Sequence, residues 1–116
     1  MRSEQIVAYG EPLASNTTDA PTPDAREVLV RVRNCGVCHS DVHLHDGHFE
    51  LGYDKRLDLS SGRSLPFTMG HEVEGEVIAL GDQANGVAIG DRVVVYPWIG
   101  CDNCDICTAG DGHVCN

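Results

Sequence analysis

Residues 101–107 read Cys101-Asp-Asn-Cys104-Asp-Ile-Cys107, and Cys115 follows. Two-residue gaps between cysteines let the backbone turn and direct neighbouring sulfurs at one centre, which is typical of tetrahedral zinc sites. Two disulfides are the alternative interpretation of the same four cysteines. Disulfides are rare in reducing compartments, and the N-terminal sequence has no apolar run of the kind that directs secretion. The spacing therefore favours a zinc lobe, which we place at residues 97–116.

Length and charge limit the classes of function that remain. The 116 residues are enough for one domain with a core of its own. Eighteen acidic residues against eight basic ones give a net charge of −10, which disfavours attraction to phosphate backbones and to anionic lipid. No apolar run approaches the ~20 residues of a membrane-spanning helix. We therefore predict a cytoplasmic protein with neither nucleic acid nor a membrane as its partner.

Thirteen glycines and short apolar runs predict a mainly β fold. Strands are predicted at residues 4–9, 27–33 and 73–80, and a buried strand is predicted at the end of residues 90–96. In the second strand, Val28, Val30 and Val32 alternate with polar positions and are expected to share one face. We expect these strands to close into a small barrel.

The stretch between the second and third strands has weaker patterns. Ser40 is a good N-cap residue and Gly47 a good stop signal, so a helical turn is predicted between them. Residues 48–66 are polar and without periodicity, which predicts a long surface loop.

Cys38 and His71 are candidates for a second metal site. Cys38 follows one predicted strand, and His71 directly precedes another. If these strands pair, a thiolate and an imidazole face one point, and these are ligand types of a catalytic zinc. Each residue also has a simpler interpretation, because a lone cysteine is usually a small core residue and a lone histidine is usually only hydrogen-bonded.

Four motifs occur in order along the chain. They are Cys38-His-Ser-Asp41 with His43, then Gly70-His-Glu72-x2-Gly75-x5-Gly81, then Gly90-Asp-Arg-Val93, and finally the four-cysteine lobe. Together they resemble the zinc-containing alcohol dehydrogenases of the medium-chain dehydrogenase/reductase superfamily. The resemblance covers nearly the whole chain, residues 1–116, and corresponds to the N-terminal GroES-like catalytic domain of that family. It implies a GroES-like, partly open β-barrel with short helical segments and a zinc-binding lobe.

The resemblance also implies roles for the residues around Cys38. Cys38 and His71 match two of the three protein ligands of the family's catalytic zinc. Ser40 matches the hydroxyl that hydrogen-bonds the substrate alcohol, and His43 matches the histidine that passes its proton toward solvent. Asp41 matches the carboxylate that orients the ligand histidine, a partner that metal-bound imidazoles generally need.

Two further positions and the lobe complete the implied site. Glu72 matches an acidic residue behind the zinc, and His39 falls where the family places a basic residue near the coenzyme pyrophosphate. The structural zinc ligands are matched by four cysteines: Cys101, Cys104, Cys107 and Cys115. The implied reaction transfers hydride between a small alcohol and NAD or NADP, giving an aldehyde or ketone. Zinc lowers the pKa of a bound hydroxyl, and a relay carries the proton away.

Parts of the family pattern have no counterpart in these 116 residues. The chain contains no Gly-x-Gly-x2-Gly fingerprint of a nucleotide-binding domain. The family's third catalytic zinc ligand lies beyond the zinc lobe. We therefore expect a fragment with a complete structural site and an incomplete catalytic site, inactive by itself. The resemblance allows a homo-oligomer but decides neither that nor the substrate.

The remaining candidates have simpler interpretations. Cys35 and Cys38 form a Cys-x2-Cys that suits a redox pair or half of another zinc site, but Cys35 has no second pair to join. His45 and His48 read as loop residues without a role. Trp98 is a candidate for lining a substrate pocket, although a lone tryptophan is more often simply packed.

Glu74 and Glu76 are expected on a solvated strand face.

A second function remains as an alternative, a zinc-stabilised binding or assembly module that holds a partner with residues 48–66. Ser40 and His43 beside Cys38 favour the enzyme, because a structural domain has no use for a proton relay.

Overall fold

The computed structural model describes residues 1–115 as two open three-stranded sheets, one hairpin and two short helices. The strands are β1 (Arg2–Ile6), β2 (Ala14–Thr17), β3 (Val28–Gly36), β4 (His48–Gly52), β5 (Lys55–Asp58), β6 (Phe67–Thr68), β7 (Glu72–Leu80) and β8 (Arg92–Val94). The helices are α1 (His39–Asp46) and α2 (Asp105–Thr108), with 3-10 turns at Ser60–Gly62 and Gly112–Val114. The mainly β prediction is confirmed, and the sheets stay open instead of closing into a full barrel. Asn116, the last residue of the predicted lobe, lies outside the described residues.

The sheet that positions the site has the order β3-β7-β8, and all its pairs are antiparallel. The register between β3 and β7 runs from Val28 opposite Leu80 to Gly36 opposite Glu72. Two register shifts interrupt β3, so the alternation seen in the sequence does not carry through to burial. Val32, expected on the same face as Val28 and Val30, is 56% exposed.

The apolar core is thin. Within residues 1–115, the buried apolar side chains are Ile6 on β1 and Val77 on β7. The backbones of β3 and β7 also pack closely at Gly75, a buried residue of β7. A Cβ there would overlap the carbonyl oxygen of Arg31 and lie 2.6 Å from a methyl group of Val30. Only glycine lets β3 and β7 approach this closely.

The structure corrects two strand predictions. The first strand is Arg2–Ile6 and not residues 4–9, because its partners are β2 on one side and β6 on the other. The last strand was predicted to be buried, but β8 is an edge strand whose Val94 is 78% exposed. Strand periodicity cannot tell an edge strand from a central one, because that depends on the neighbours.

The helical turn predicted from Ser40 begins earlier in the chain, because its N-cap is Cys38 and not Ser40. Cys38 is the N-cap of α1, because its sulfur accepts a hydrogen bond from the Ser40 N–H at 3.3 Å. The Asp41 carboxylate in turn accepts one from the Cys38 N–H at 3.0 Å, which completes a capping box. The predicted end is confirmed, since Gly47 caps α1 with φ of 78°.

The prediction of a long surface loop over residues 48–66 is wrong for residues 48–58. Residues 48–58 form the antiparallel β4–β5 hairpin, and Tyr53 and Asp54 at its turn both have positive φ, 50° and 58°. Turns of this kind are normally signalled by Asn-Gly or Asp-Gly, and neither dipeptide occurs here. No helix in residues 1–115 is long and apolar enough to span a bilayer.

Gly75→Ala should destabilise the fold by about 1–3 kcal/mol, because the added methyl group must displace backbone atoms of β3. Gly62→Ala is the matched control, since nothing lies within 4 Å of a Cβ at that position. The free energy of unfolding of the zinc-loaded chain in urea measures both. Equal stabilities would contradict the tight β3–β7 approach.

Candidate metal centres

The pairing of β3 with β7 brings the first candidate site together. Gly36 ends β3 opposite Glu72, which begins β7, so Cys38 and His71 emerge at the same end of the sheet. The Cys38 Sγ lies 3.2 Å from the His71 Nε2. Zinc bonds of ~2.3 Å to sulfur and ~2.0 Å to nitrogen would place tetrahedral ligands about 3.5 Å apart. The two atoms therefore fit a shared metal ion.

Asp41 lies behind this pair and is almost fully buried, with 5% of its surface exposed. Its Oδ2 accepts the Cys38 N–H, and its Oδ1 lies 3.5 Å from the His71 Nδ1 with no hydrogen-bond partner. A carboxylate at this place favours the proton on Nδ1 and leaves the Nε2 lone pair facing Cys38. The ligand atoms of Cys38, Asp41 and His71 all lie within 4.8 Å of one another.

Ser40 supplies a hydroxyl at the same point. Its Oγ lies 2.8 Å from the Cys38 Sγ and 3.4 Å from the His71 Nε2. The helical cap positions it, because the Ser40 N–H donates to the Cys38 sulfur. The hydroxyl therefore stands next to any group that binds between the thiolate and the imidazole.

Two of the three histidines of α1, His39 and His43, lie one turn apart. The rings of His39 and His43 stack with centroids 4.4 Å apart, and His43 also contacts the Phe49 ring at 4.6 Å. His39 is exposed and His43 is half-buried. Within residues 1–115, no hydrogen bond joins Ser40 to His43, so a proton passing between them needs a mediating group.

The absence of a side chain at Gly36 lets the Glu72 carboxylate lie close to the end of β3. A Cβ at Gly36 would overlap the Glu72 carboxylate. This close approach depends on the β3–β7 register, in which Gly36 lies opposite Glu72.

The four-cysteine lobe forms the second candidate site. The sulfurs of Cys101, Cys104, Cys107 and Cys115 lie within 4.8 Å of one another. Cys101 and Cys107 are separated by 3.9 Å, as are Cys104 and Cys115. Tetrahedral zinc thiolates have edges of about 3.8 Å, whereas a disulfide needs about 2.05 Å. The geometry suits one zinc ion and not two disulfides.

The backbone of the lobe creates different electrostatic surroundings for its sulfurs. The N–H groups of Asn103 and Cys104 donate to the Cys101 sulfur and lower the pKa of that thiol to about 6. Burial raises the pKa of the Cys107 thiol to about 12. Only glycine fits at position 100, because a Cβ there would lie 2.8 Å from the Cys107 sulfur. The lobe thus holds one ready thiolate and one sulfur that a cation must help to deprotonate.

The other sequence candidates stay outside these two clusters. The Cys38 sulfur faces His71, while the Cys35 sulfur contacts the Gly36 carbonyl, so the two do not act as a pair. His45 donates to the Glu11 carbonyl at 2.8 Å, which raises the pKa of its ring. His48 contacts Glu50, and Trp98 is 61% exposed.

Glu74 and Glu76 are half-buried and paired, not free on a solvated face. Glu74 bonds Arg92 and Asn34, and these bonds lower the pKa of its carboxyl. Arg33 does the same for Glu76. These pairs link β3, β7 and β8 across one face of the sheet, which only the register reveals.

Comparison with known proteins identifies a family. Residues 24–116 match the family model described as the alcohol dehydrogenase GroES-like domain. The chain is 40% identical over 116 residues to an NAD-dependent alcohol dehydrogenase of Saccharolobus solfataricus and 39% identical to one of Sulfurisphaera tokodaii, covering 33% of each protein. The chain therefore spans about a third of the length of these curated relatives.

Solved structures show the same fold. A crystal structure of an NAD-dependent alcohol dehydrogenase matches with a TM-score of 0.80 and 30% identity, over 99% of this chain and 31% of the other. A cobalt- and zinc-bound thermostable alcohol dehydrogenase from Pyrobaculum aerophilum gives the same score and identity, over 100% of this chain and 32% of its own.

Acidification should release zinc from the four-cysteine lobe. Protons compete with zinc for all four thiolates, and Cys101, whose pKa is about 6 without metal, is the thiol most easily deprotonated in the metal-free lobe. We expect full zinc retention after dialysis at pH 8 and strong loss at pH 5, measured by elemental analysis. Cys35→Ser should behave as the wild type, because Cys35 lies outside the cluster. Zinc-free protein with no titratable thiols in the lobe would support disulfides instead.

Asp41→Asn should weaken metal binding at Cys38 and His71 by about 10–100-fold. The remaining oxygen can still accept the Cys38 N–H, but the amide NH₂ then faces the His71 Nδ1 and favours the proton on Nε2. Cobalt titration of chain with zinc already in the lobe measures the effect through the cobalt–thiolate absorption. Asp46→Asn on the exposed end of α1 is the control, and an equal loss in both variants would contradict the role of Asp41.

Proposed function

We propose, from the fact that the chain belongs to the alcohol dehydrogenase GroES-like domain family, that it supplies the zinc-binding catalytic domain of an NAD-linked alcohol dehydrogenase. The reaction would transfer hydride between a small alcohol and NAD, giving an aldehyde or ketone. One observation carries this proposal. The Cys38 thiol, the His71 Nε2 and the Ser40 hydroxyl converge within 3.4 Å of one another at the sheet end.

The residues divide the work between holding an ion and moving a proton. Cys38 and His71 would hold the catalytic zinc, which when bound makes an alcohol hydroxyl more acidic. Asp41 keeps the proton on the His71 Nδ1, so that Nε2 is free to ligate. Ser40 Oγ would accept the proton of the substrate hydroxyl and pass its own proton toward His43 through a mediating group such as a water molecule or a coenzyme hydroxyl.

His39 and Glu72 have supporting roles in this proposal. His39 is the exposed first residue of α1, where its imidazole would donate a hydrogen bond to a coenzyme phosphate. Glu72 places a carboxylate beside Gly36, close to the ligand His71, where it would balance the charge of the ion. The four-cysteine lobe would bind a second zinc that holds residues 101–115 in shape.

The described residues alone offer too few ligands for catalysis, and we propose that the 116-residue chain is inactive by itself. Cys38 and His71 are two ligands, and Asp41 is engaged with the cap of α1 and with His71. Catalytic zinc sites generally use three protein ligands and one open position. The third ligand, and the nucleotide-binding domain that the reaction needs, would come from outside these residues.

The protein is best placed in the cytoplasm. The sulfur pairs Cys101–Cys107 and Cys104–Cys115 are each separated by 3.9 Å, which is too long for a disulfide and suits a reducing compartment and zinc binding. A small alcohol or carbonyl compound and the coenzyme are then its partners, and the net charge of −10 argues against nucleic acid.

A chimera tests the proposed function. This chain replaces the matching third of the Saccharolobus solfataricus enzyme, and NAD reduction is assayed with a panel of small alcohols. Turnover by the chimera with two zinc ions bound supports the catalytic domain. A chimera that binds both zinc ions and the coenzyme but reduces no NAD would favour the binding or assembly module.

Ser40→Ala in the chimera should lower kcat by about 10²–10⁴-fold, because the proton of the alcohol loses its acceptor. Ser40→Thr keeps a hydroxyl on the same carbon and should retain most of the activity. Ser60→Ala, in the 3-10 turn after β5, is the control for removing a serine hydroxyl elsewhere. Full activity in Ser40→Ala with zinc content unchanged would remove Ser40 from the mechanism.

A further inference from the structure

The β4–β5 hairpin is a two-stranded sheet with an open edge. Among residues 1–115, no third strand pairs with it, and all four residues of β5 are exposed. Two strands alone are at best marginally stable in water, and an edge strand leaves backbone N–H and C=O groups unpaired. A further strand on the free edge of β5 would satisfy both needs.

The hairpin also exposes apolar side chains. Leu51 is 59% exposed, Leu57 is 51% exposed, and Tyr53 at the turn is 98% exposed with a positive φ. Its described links to the rest of the domain include the Leu59 N–H bonded to the Gly47 carbonyl and the Phe49 ring against His43. The outer strand of the hairpin therefore faces away from the domain and is free to meet another molecule.

The sequence of β5, Lys55-Arg-Leu-Asp58, restricts how it pairs with itself. Residues opposite each other in an antiparallel pair lie on the same face, so a two-fold pairing must be centred on one residue. Centring on Arg56 would set the two Arg56 side chains opposite each other and each Asp54 opposite the partner's Asp58, so three of its cross-strand pairs would be repulsive. Centring on Leu57 sets the two leucines together and Arg56 opposite the partner's Asp58 twice.

We propose that the hairpin is a homodimerisation surface, in which β5 pairs antiparallel with β5 of a second copy around Leu57. The product is a continuous four-stranded sheet, β4-β5 followed by the partner's β5 and β4. Two cross-strand ion pairs and one leucine contact fix its register. The charged residues then have a double effect, since they disfavour the competing register as well as stabilising this one.

The contacts inside the hairpin leave the required groups available. Arg56 bonds Glu50 at 2.7 Å, and its five donors are enough to bond the partner's Asp58 as well. Both hydrogen bonds from Ser60 go to Oδ1 of Asp58, which leaves Oδ2 for the partner. A pairing of three opposite residues is short, but β7 and β8 pair over the same length in this chain.

Charge makes this surface a suitable one for self-association. Two copies of a chain with net charge −10 repel each other, so contact is favoured where the local charge is balanced. Residues 48–58 contain three acidic and two basic side chains, which gives −1 with histidine neutral. The hairpin thus presents a nearly neutral, self-complementary edge on a strongly acidic chain.

Sedimentation equilibrium of the zinc-loaded 116-residue chain tests the proposal, and we expect a reversible dimer. The combined variant Glu50→Arg with Arg56→Glu keeps the ion pair inside the hairpin but sets like charges against the partner's Asp58. It should raise the dissociation constant of the dimer by about tenfold or more. The swap Arg2→Glu with Glu4→Arg is the matched control, because that exposed pair lies on β1.

A mixing experiment separates this surface from a loss of folding. Asp58→Arg alone sets positive charges opposite each other and should also be monomeric. Mixed with the Glu50→Arg, Arg56→Glu variant, it makes both cross-strand pairs opposite in charge, so a heterodimer should form. Circular dichroism and zinc content check that each variant is folded. A monomeric wild type, a dimer insensitive to these changes, or no heterodimer on mixing would each overturn the proposal.

Discussion

The antiparallel register between β3 and β7 is the constraint on which the rest of the structure depends. It places Gly36 opposite Glu72, so the chain segments that carry Cys38 and His71 leave the sheet side by side. The register itself depends on Gly75, where any side chain would collide with β3. A shift by one residue would turn every side chain of β7 to the other face and separate the two ligands.

The same atoms fix the start of α1 and orient the metal ligands. Asp41 uses one oxygen to cap the helix at Cys38 and directs the other at His71. Cys38 uses its sulfur to accept the Ser40 N–H, which holds the serine hydroxyl beside the imidazole. Helix capping, ligand orientation and the proton acceptor are therefore coupled, and the buried Asp41 cannot change without affecting all three.

Stability in this chain depends on more than apolar burial. The buried apolar side chains described are Ile6 and Val77, while ion pairs between half-buried glutamates and exposed arginines link the strands. Exposed pairs of this kind contribute little each. Zinc bound by the four-cysteine lobe would therefore be an effective source of further stability.

The sequence by itself determined the cysteine lobe, the mainly β fold, the family, and the end of α1 at Gly47, because spacing and glycine chemistry are local. It did not reveal the hairpin at residues 48–58, since Tyr53 and Asp54 adopt positive φ without the usual turn signal. It also misplaced the helix cap and the exposure of Val32 and Val94. Those features, and the meeting of Cys38 with His71, depend on which strands pair and in which register. Only the tertiary structure decides that, because it arises from contacts between residues far apart in the chain.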